Sequence, residues 1–480
     1  MTASMAPPPP PPADMDALLC ALERRADPYL CLPAYGAAGA EGAEAMLERI
    51  LLSRERLKLA FAALPFTPVR FLERLARDGR PAVLRRLARN SASSATTLLT
   101  LAQRAPEQET RIAIAGHRNA PAVLLAGLAG EPDGAVRVAL LRNPATTTLV
   151  LHRLLDRASP QEAALLARHP QADAALLRAL ARREEPAADA EMLTHPACPP
   201  EHLERAWRDS DPAIRRRCAG NPALPREALG SLLADPDAGV RAEAVRAAAG
   251  AEALSTEDEA ARVRRAQARH LRLPPALAAA LGRDPDVWVR TWLARNPHLP
   301  ETILRGLCGD GEARVRHAAG RHPHCPPDAL VGLATDTDAW VRAGVAPRPD
   351  LPPAALRALE ADTDIDVCSA VGRNPNARME ALLARASHPD VDVRRAVALN
   401  PRAPAAALRP VLADPYPLNR AITVRHPNLP DAEAWPLAED PEPQVRFAVG
   451  ARLVSRMAPR AVPSRAIPLC ARAPELSPAL

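Results

Sequence analysis

The chain has 480 residues, of which 21 are Gly, 54 are Pro and 48% are hydrophobic, which excludes a low-complexity chain, where Pro and Gly together reach roughly 25–30%. Aromatic residues make up only 2%, so the core must be assembled from Ala, Leu and Val on closely approaching elements, and a large β-sandwich is disfavoured. The formal net charge is +6, but residues 452–480 carry five arginines against Glu475, leaving about +2 for everything before them, too little for a groove that tracks a nucleic-acid duplex.

The N-terminus, MTASMAPPPPPP, has neither a basic start nor an apolar block, and no run approaches the roughly 18 apolar residues of a membrane span. These features predict a cytoplasmic protein without a membrane segment. Residues 1–13 are expected to form a Pro-rich disordered tail, with Pro7 to Pro12 in polyproline II. Residues 14–63 are expected to be a helical N-terminal cap. Lys58 is the one lysine among 62 basic residues, a bias that a GC-rich coding sequence produces whatever the function. Eight cysteines at irregular separations do not form a disulfide framework, and reduced thiols are expected.

From residue 64 to 451 the chain repeats, and the cap is expected to cover the first repeat. Pro144, Pro170, Pro196 and Pro222 follow Asn or His at intervals of 26, and Pro297, Pro323, Pro349, Pro375, Pro401 and Pro427 resume the series after a gap of 75, three periods less three residues. About fifteen 26-residue units result. In the unit from Asn296 to Arg321, Ile303, Leu304 and Leu307 have helical spacing, and Val315, Ala318 and Ala319 have it again, so each unit is predicted to hold two helices. Asp284-Pro285-Asp286 reads as an N-cap acceptor, a proline at the first helical position and an acid in the first turn. Asn or His before Pro stops the second helix. A unit this short cannot bury its own apolar face, so the fold class expected is all-α, an α-solenoid in which each unit depends on its neighbours. Residues 452–480 are expected to be a basic C-terminal tail.

The pattern Leu-x-x-Leu, Asp-Pro-Asp, Val-Arg, Ala-Val-Ala, Asn-Pro, carried most fully by Asp390 to Pro401, resembles the leucine-rich repeat variant, a bacterial, HEAT-like repeat family. The resemblance implies a right-handed, all-helical superhelix in which a 3₁₀ helix can replace one helix of a unit, and no β-strand horseshoe. The family's first-described member is similar to an iron–sulphur protein at its N-terminus. Only Cys20 and Cys31 precede the repeats here, too few for a four-cysteine cluster.

Two ladders of charge run through the repeat. One residue after the Val of the second helix stand Arg111, Arg137, Arg215, Arg241, Arg264, Arg290, Arg316, Arg342, Arg394, Arg420 and Arg446, with failures at Ala163, Asp189 and Cys368. Six residues before that position recur Asp235, Asp258, Asp284, Asp310, Asp336, Asp362, Asp414 and Asp440. Because each Arg comes with its acid, the two are expected to pair between neighbouring units rather than to form a row of phosphate binders. Six histidines share their position with asparagines before Pro, so a polar side chain bonding backbone at the bend is expected there. Cys308, His317, His322, His324 and Cys325 lie within eighteen residues, but Cys325 aligns with Leu299 and Leu351 as core, and His322 occupies the bend position. No metal and no cofactor are expected.

Trp288 and Trp340 break a position that elsewhere holds Asp, Gly, Ala or Gln, with Arg314 between them and Trp292 one helical turn beyond Trp288. Stacked on adjacent units they would form a column, either an exposed binding surface, since Trp and Arg are enriched at hot spots, or rings that cover gaps between units. No phosphate loop, H-E-x-x-H or nucleophile elbow is present, and no catalytic residue is assigned. The expected function is a non-enzymatic scaffold for an unidentified protein partner. The alternative is a nucleic-acid-binding or base-excising HEAT-like solenoid.

Overall fold

The computed structural model describes residues 55–457, apart from 64–66, 68, 78, 105–106, 249, 251–253 and 255–257, together with positions 17, 21, 27 and 30. The expected Pro-rich tail, most of the expected cap and the chain beyond 457 lie outside the described residues. Among the described residues all regular structure is helical: thirty α-helices, one 3₁₀ helix and no strand. The chain divides into two units, formed mainly by residues 39–249 and 250–475.

The first unit opens with the helix Glu55–Ala63 and continues as seven helix pairs, A then B, from Val69–Ala76 with Pro81–Arg89 to Arg226–Leu233 with Ala238–Ala247. The second opens with the B helix Ala261–Ala268 and holds seven pairs from Pro275–Leu281 with Val287–Ala294 onward. In its last pair the A helix Asp431–Ala434 runs on as the 3₁₀ helix Trp435–Glu439 before the B helix Pro443–Met457. The 3₁₀ geometry implied by the family resemblance is thus confined, among the described residues, to one repeat. The three-residue shortening lies between two B helices, since Arg241 and Arg264 are 23 apart whereas Arg264 and Arg290 are 26 apart.

Each repeat buries a short apolar stripe from both helices. In one of them Leu304, Leu307, Val315, Ala318 and Ala319 are all buried. Leu304 is wholly so, and its truncation to Ala would cost roughly 2–5 kcal/mol. Helices pack A on A and B on B along each unit, the B layer more extensively, and small residues permit it: a Cβ on Gly320 would lie 2.6 Å from Val345.

The helix starts differ from the sequence expectation by two residues. The carboxylate that caps Val287–Ala294 is Asp286, which accepts from Val289 N at 3.0 Å, while Asp284 stands in the preceding turn and accepts from Asp286 N at 2.8 Å. Asp338, Asp364 and Asp390 cap their B helices in the same way. An Asp-x-Asp sequence offers two acceptors, and here the second meets the free helix donors, leaving the first for another partner.

The Asn or His that follows most B helices joins one repeat to the one before. Asn400 donates Nδ2 to the carbonyls of Gly372 and Asn374 at 2.9 and 2.7 Å, and its Oδ1 accepts from Arg402 N. Asn374 does the same toward Ala346 and Arg348. His322 uses Nε2 toward Asn296 O at 2.9 Å while Nδ1 faces His324 N at 3.1 Å. Since a backbone N–H can only donate, Nδ1 must be the acceptor, which makes the imidazole neutral with its proton on Nε2. Arg348 fills the same position with Nη1 on the carbonyls of Gly320 and His322. A buried polar spine results, in which otherwise unsatisfied helix-end carbonyls receive side-chain donors from the next repeat.

One boundary also differs. Arg452, expected to begin a basic tail, is buried at the spine position, with Nη1 2.9 and 2.6 Å from the carbonyls of Val424 and His426, because the last B helix needs the same closure as the others. Two described parts of the expected cap meet different repeats. Glu55–Ala63 meets the first, Ala62 O accepting from Asn90 Nδ2 at 2.9 Å, whereas Asp27 pairs with Arg446 of the last repeat.

Candidate functional site

The B helices of the second unit carry both the paired charges and the tryptophans. Arg290 directs Nε and Nη2 to the Asp310 carboxylate at 2.7 and 3.0 Å and Nη1 to the carbonyl of Asp284 at 2.6 Å. Arg316 does the same to Asp336 at 2.7 and 2.8 Å and to Asp310 O, and Arg342 to Asp362 and to Asp336 O. Asp284 in turn receives Arg264. Each aspartate therefore takes a guanidinium from the preceding repeat on its side chain and one from its own repeat on its carbonyl. The hydrogen bond from Arg316 holds the half-buried Asp336 carboxyl below its ordinary range. At Asp310 burial works the other way, but the bonds from Arg290 and the backbone of Glu312 outweigh it and the net shift is again downward. These arginines are spent on the fold, and the last one, Arg446, finds its acid in Asp27.

The tryptophans stand apart from that ladder. Trp288 is 41% exposed and Trp340 43%. The Arg314 guanidinium lies 4.3 Å from the Trp288 ring centre and 5.9 Å from that of Trp340, so the three side chains form one column across adjacent repeats. His317 adds to it: its imidazole stacks on Trp340 at 3.9 Å and 9°, and its Nδ1 bonds Trp340 O at 2.8 Å. Because a carbonyl only accepts, Nδ1 carries the proton, the opposite tautomer to that of His322. Trp292, half-buried, lies beneath Arg269 and Arg295 at 4.4 and 5.0 Å. The column, with both rings exposed, is legible in the repeat register. The part of His317 is not, although Gly344 signals it: a Cβ there would lie 2.6 Å from His317 Nδ1.

The histidine–cysteine group is differently arranged. Cys308 and Cys325 are buried with their sulfurs 3.6 Å apart, His322 has both ring nitrogens engaged in the spine, and His317 faces Trp340. Among the described residues no group of three or more His, Cys, Asp or Glu is placed to hold a metal ion. None of their helices is long and apolar enough to cross a membrane.

Paired helices repeated along the chain and bound through a spine and a charge ladder define an α-helical repeat protein of the solenoid class. A solved structure described as a leucine-rich repeat variant with a novel repetitive protein structural motif is similar to the chain at 27% identity, covering 51% of this chain and 88% of that one, with a TM-score of 0.32. No protein-family model and no curated protein sequence matches the chain.

Proposed function

We propose that the chain is a non-enzymatic scaffold for protein–protein interaction and that the surface of Trp288, Trp292, Arg314 and Trp340 is where a partner docks. The observation that carries this reading is the pair of exposed indoles at Trp288 and Trp340, held on B helices two repeats apart by Arg314 and His317. Aromatic rings are scarce in this chain, and two of its five tryptophans stand at exposed positions. Rigid, pre-ordered Trp and Arg side chains are the groups most enriched at binding hot spots. The base-excising alternative calls for an acid beside aromatic and basic groups; the acids next to the tryptophans, Asp286 and Asp338, are engaged as helix caps.

Affinity capture with the intact chain and its W288A/W340A variant tests the reading. A partner retained by the first and lost by the second supports it. Equal capture by both removes the site, and a gel shift with nucleic acid that weakens steeply with salt would replace the reading with the alternative.

A further inference from the structure

Two groups of arginine stand out on the first B helices of the second unit. Those of the ladder are matched by aspartates. Arg262, Arg269, Arg295, Arg314 and Arg321 are exposed, and none has a carboxylate within ion-pair distance among the described residues. They are ordered by the repeat. Arg262 and Arg314 share a register with Trp288 and Trp340, while Arg269, Arg295 and Arg321 are the C-caps of three consecutive B helices. The four helices Ala261–Ala268, Val287–Ala294, Ala313–Gly320 and Ala339–Val345 contain no acidic residue. Beyond them the tryptophan register turns acidic at Asp366 and Asp392. Burial lowers the proton affinity of His317, the bond to the Trp340 carbonyl and the charge of Asp338 raise it, the charges of Arg321 and Arg295 lower it, and the net shift is downward.

The geometry of the stacks narrows what this surface can take. A guanidinium held over an indole ring, as Arg314 is over Trp288, still has N–H groups with which to grip a carboxylate by two parallel hydrogen bonds. Nucleobases would need open ring faces, yet Trp340 is covered on one face by His317, Trp288 is covered by Arg314, and Trp292 lies under two arginines. The C-cap cations are also interrupted after three repeats, where Pro347 takes the register before Arg373, which breaks a continuous track for a phosphate backbone.

We infer that this surface binds an acidic polypeptide segment, its carboxylates gripped by Arg295, Arg314 and Arg321 and its apolar side chains resting on Trp288 and Trp340, an inference that rests on the docking surface proposed for the tryptophans. The test uses the intact chain and three fluorescent probes: a twelve-residue peptide repeating Glu-Leu-Asp, its Gln-Leu-Asn counterpart, and a twelve-nucleotide oligo-dT. The acidic peptide should bind, at least tenfold more tightly than the amide peptide, and should weaken as salt rises. R295Q/R314Q/R321Q should lose at least tenfold in affinity without a change in Tm, and R314Q alone should lose part of it. Equal binding of the two peptides, an unchanged affinity in the triple variant, or tighter binding of oligo-dT than of the acidic peptide would overturn the inference. The docking surface itself is judged separately: a captured partner that W288A/W340A loses but R295Q/R314Q/R321Q keeps leaves that surface standing and refutes only its acidic ligand.

Discussion

Cys368 and His388 stand in one rung of the charge ladder at the two positions where Arg342 with Asp362, and Arg394 with Asp414, form bidentate pairs on either side. Arginine and acid are lost together. The Cys368 thiol takes the Asp362 carbonyl at 3.2 Å, and Arg385, buried in a register that holds Leu333 and Leu359 elsewhere, reaches the carbonyls of Cys368 and Glu360 at 3.0 and 3.1 Å. C368R alone should destabilise the chain by about 1–3 kcal/mol through crowding and an unpaired charge. The triple variant C368R/R385L/H388D rebuilds the common rung and should recover most of that loss. Urea denaturation of the parent, C368R, R385L/H388D and the triple variant measures it, and additive effects would show that the three positions act independently.

The spine histidines make stability sensitive to mild acid. Burial is the main cause that depresses His169, His322 and His426 below the ordinary value of 6.5. The folded state therefore binds fewer protons than the unfolded chain below that pH. Their contribution is complete above about 6.5 and is lost as pH falls through the lower folded values. His322→Asn supplies the same donor and acceptor as Asn296 and Asn374 without titrating. Its Tm should fall less than that of the parent chain between pH 7 and 5, and parallel profiles would remove His322 from the effect.

Gly344 makes room for the His317 imidazole. G344A would press a methyl group against that ring and should cost about 1–3 kcal/mol. In an H317A background the same change should be nearly neutral. A double-mutant cycle with a coupling under about 0.5 kcal/mol would mean that the ring moves aside freely.

The two exposed indoles should be separable from the fold. W288A/W340A is expected to leave stability within about 1 kcal/mol while costing roughly 2 kcal/mol or more of partner affinity per ring. Early melting of the repeats between His270 and Arg348 would instead assign the rings to packing, where truncation costs about 3–5 kcal/mol each.

The period, the paired helices and the Arg and Asp registers are legible in the sequence because each recurs often enough to outweigh local exceptions. What recurrence cannot supply is which of two chemically similar groups meets which partner. Asp284 and Asp286 both suit a helix start, and the three-dimensional register alone gives the cap to Asp286 and the arginine to Asp284. Asn374 and His322 read as bend residues, which they are, but their reach to carbonyls of the repeat before depends on the pitch of the stack. Arg385, which stands in a register of Leu333 and Leu359, is explained only by the Cys368 carbonyl beside it. The tryptophan column follows from register, whereas the uncompensated arginines around it appear only once the ladder arginines have been given their acids.

The spine has a direction. Each Asn, His or Arg of the spine reaches back toward carbonyls of the repeat already made. A chain emerging N-terminus first can thus complete one repeat at a time, each arrival bringing the donors its predecessor lacks. The two ends of a shortened stack are not equivalent: cutting from the C-terminus strands carbonyls such as those of Val424 and His426, which Arg452 otherwise satisfies, while cutting from the N-terminus strands side-chain donors that water can serve by a change of rotamer. Truncation from the two ends should fray the stack to different depths, and the order of synthesis matches the order of attachment.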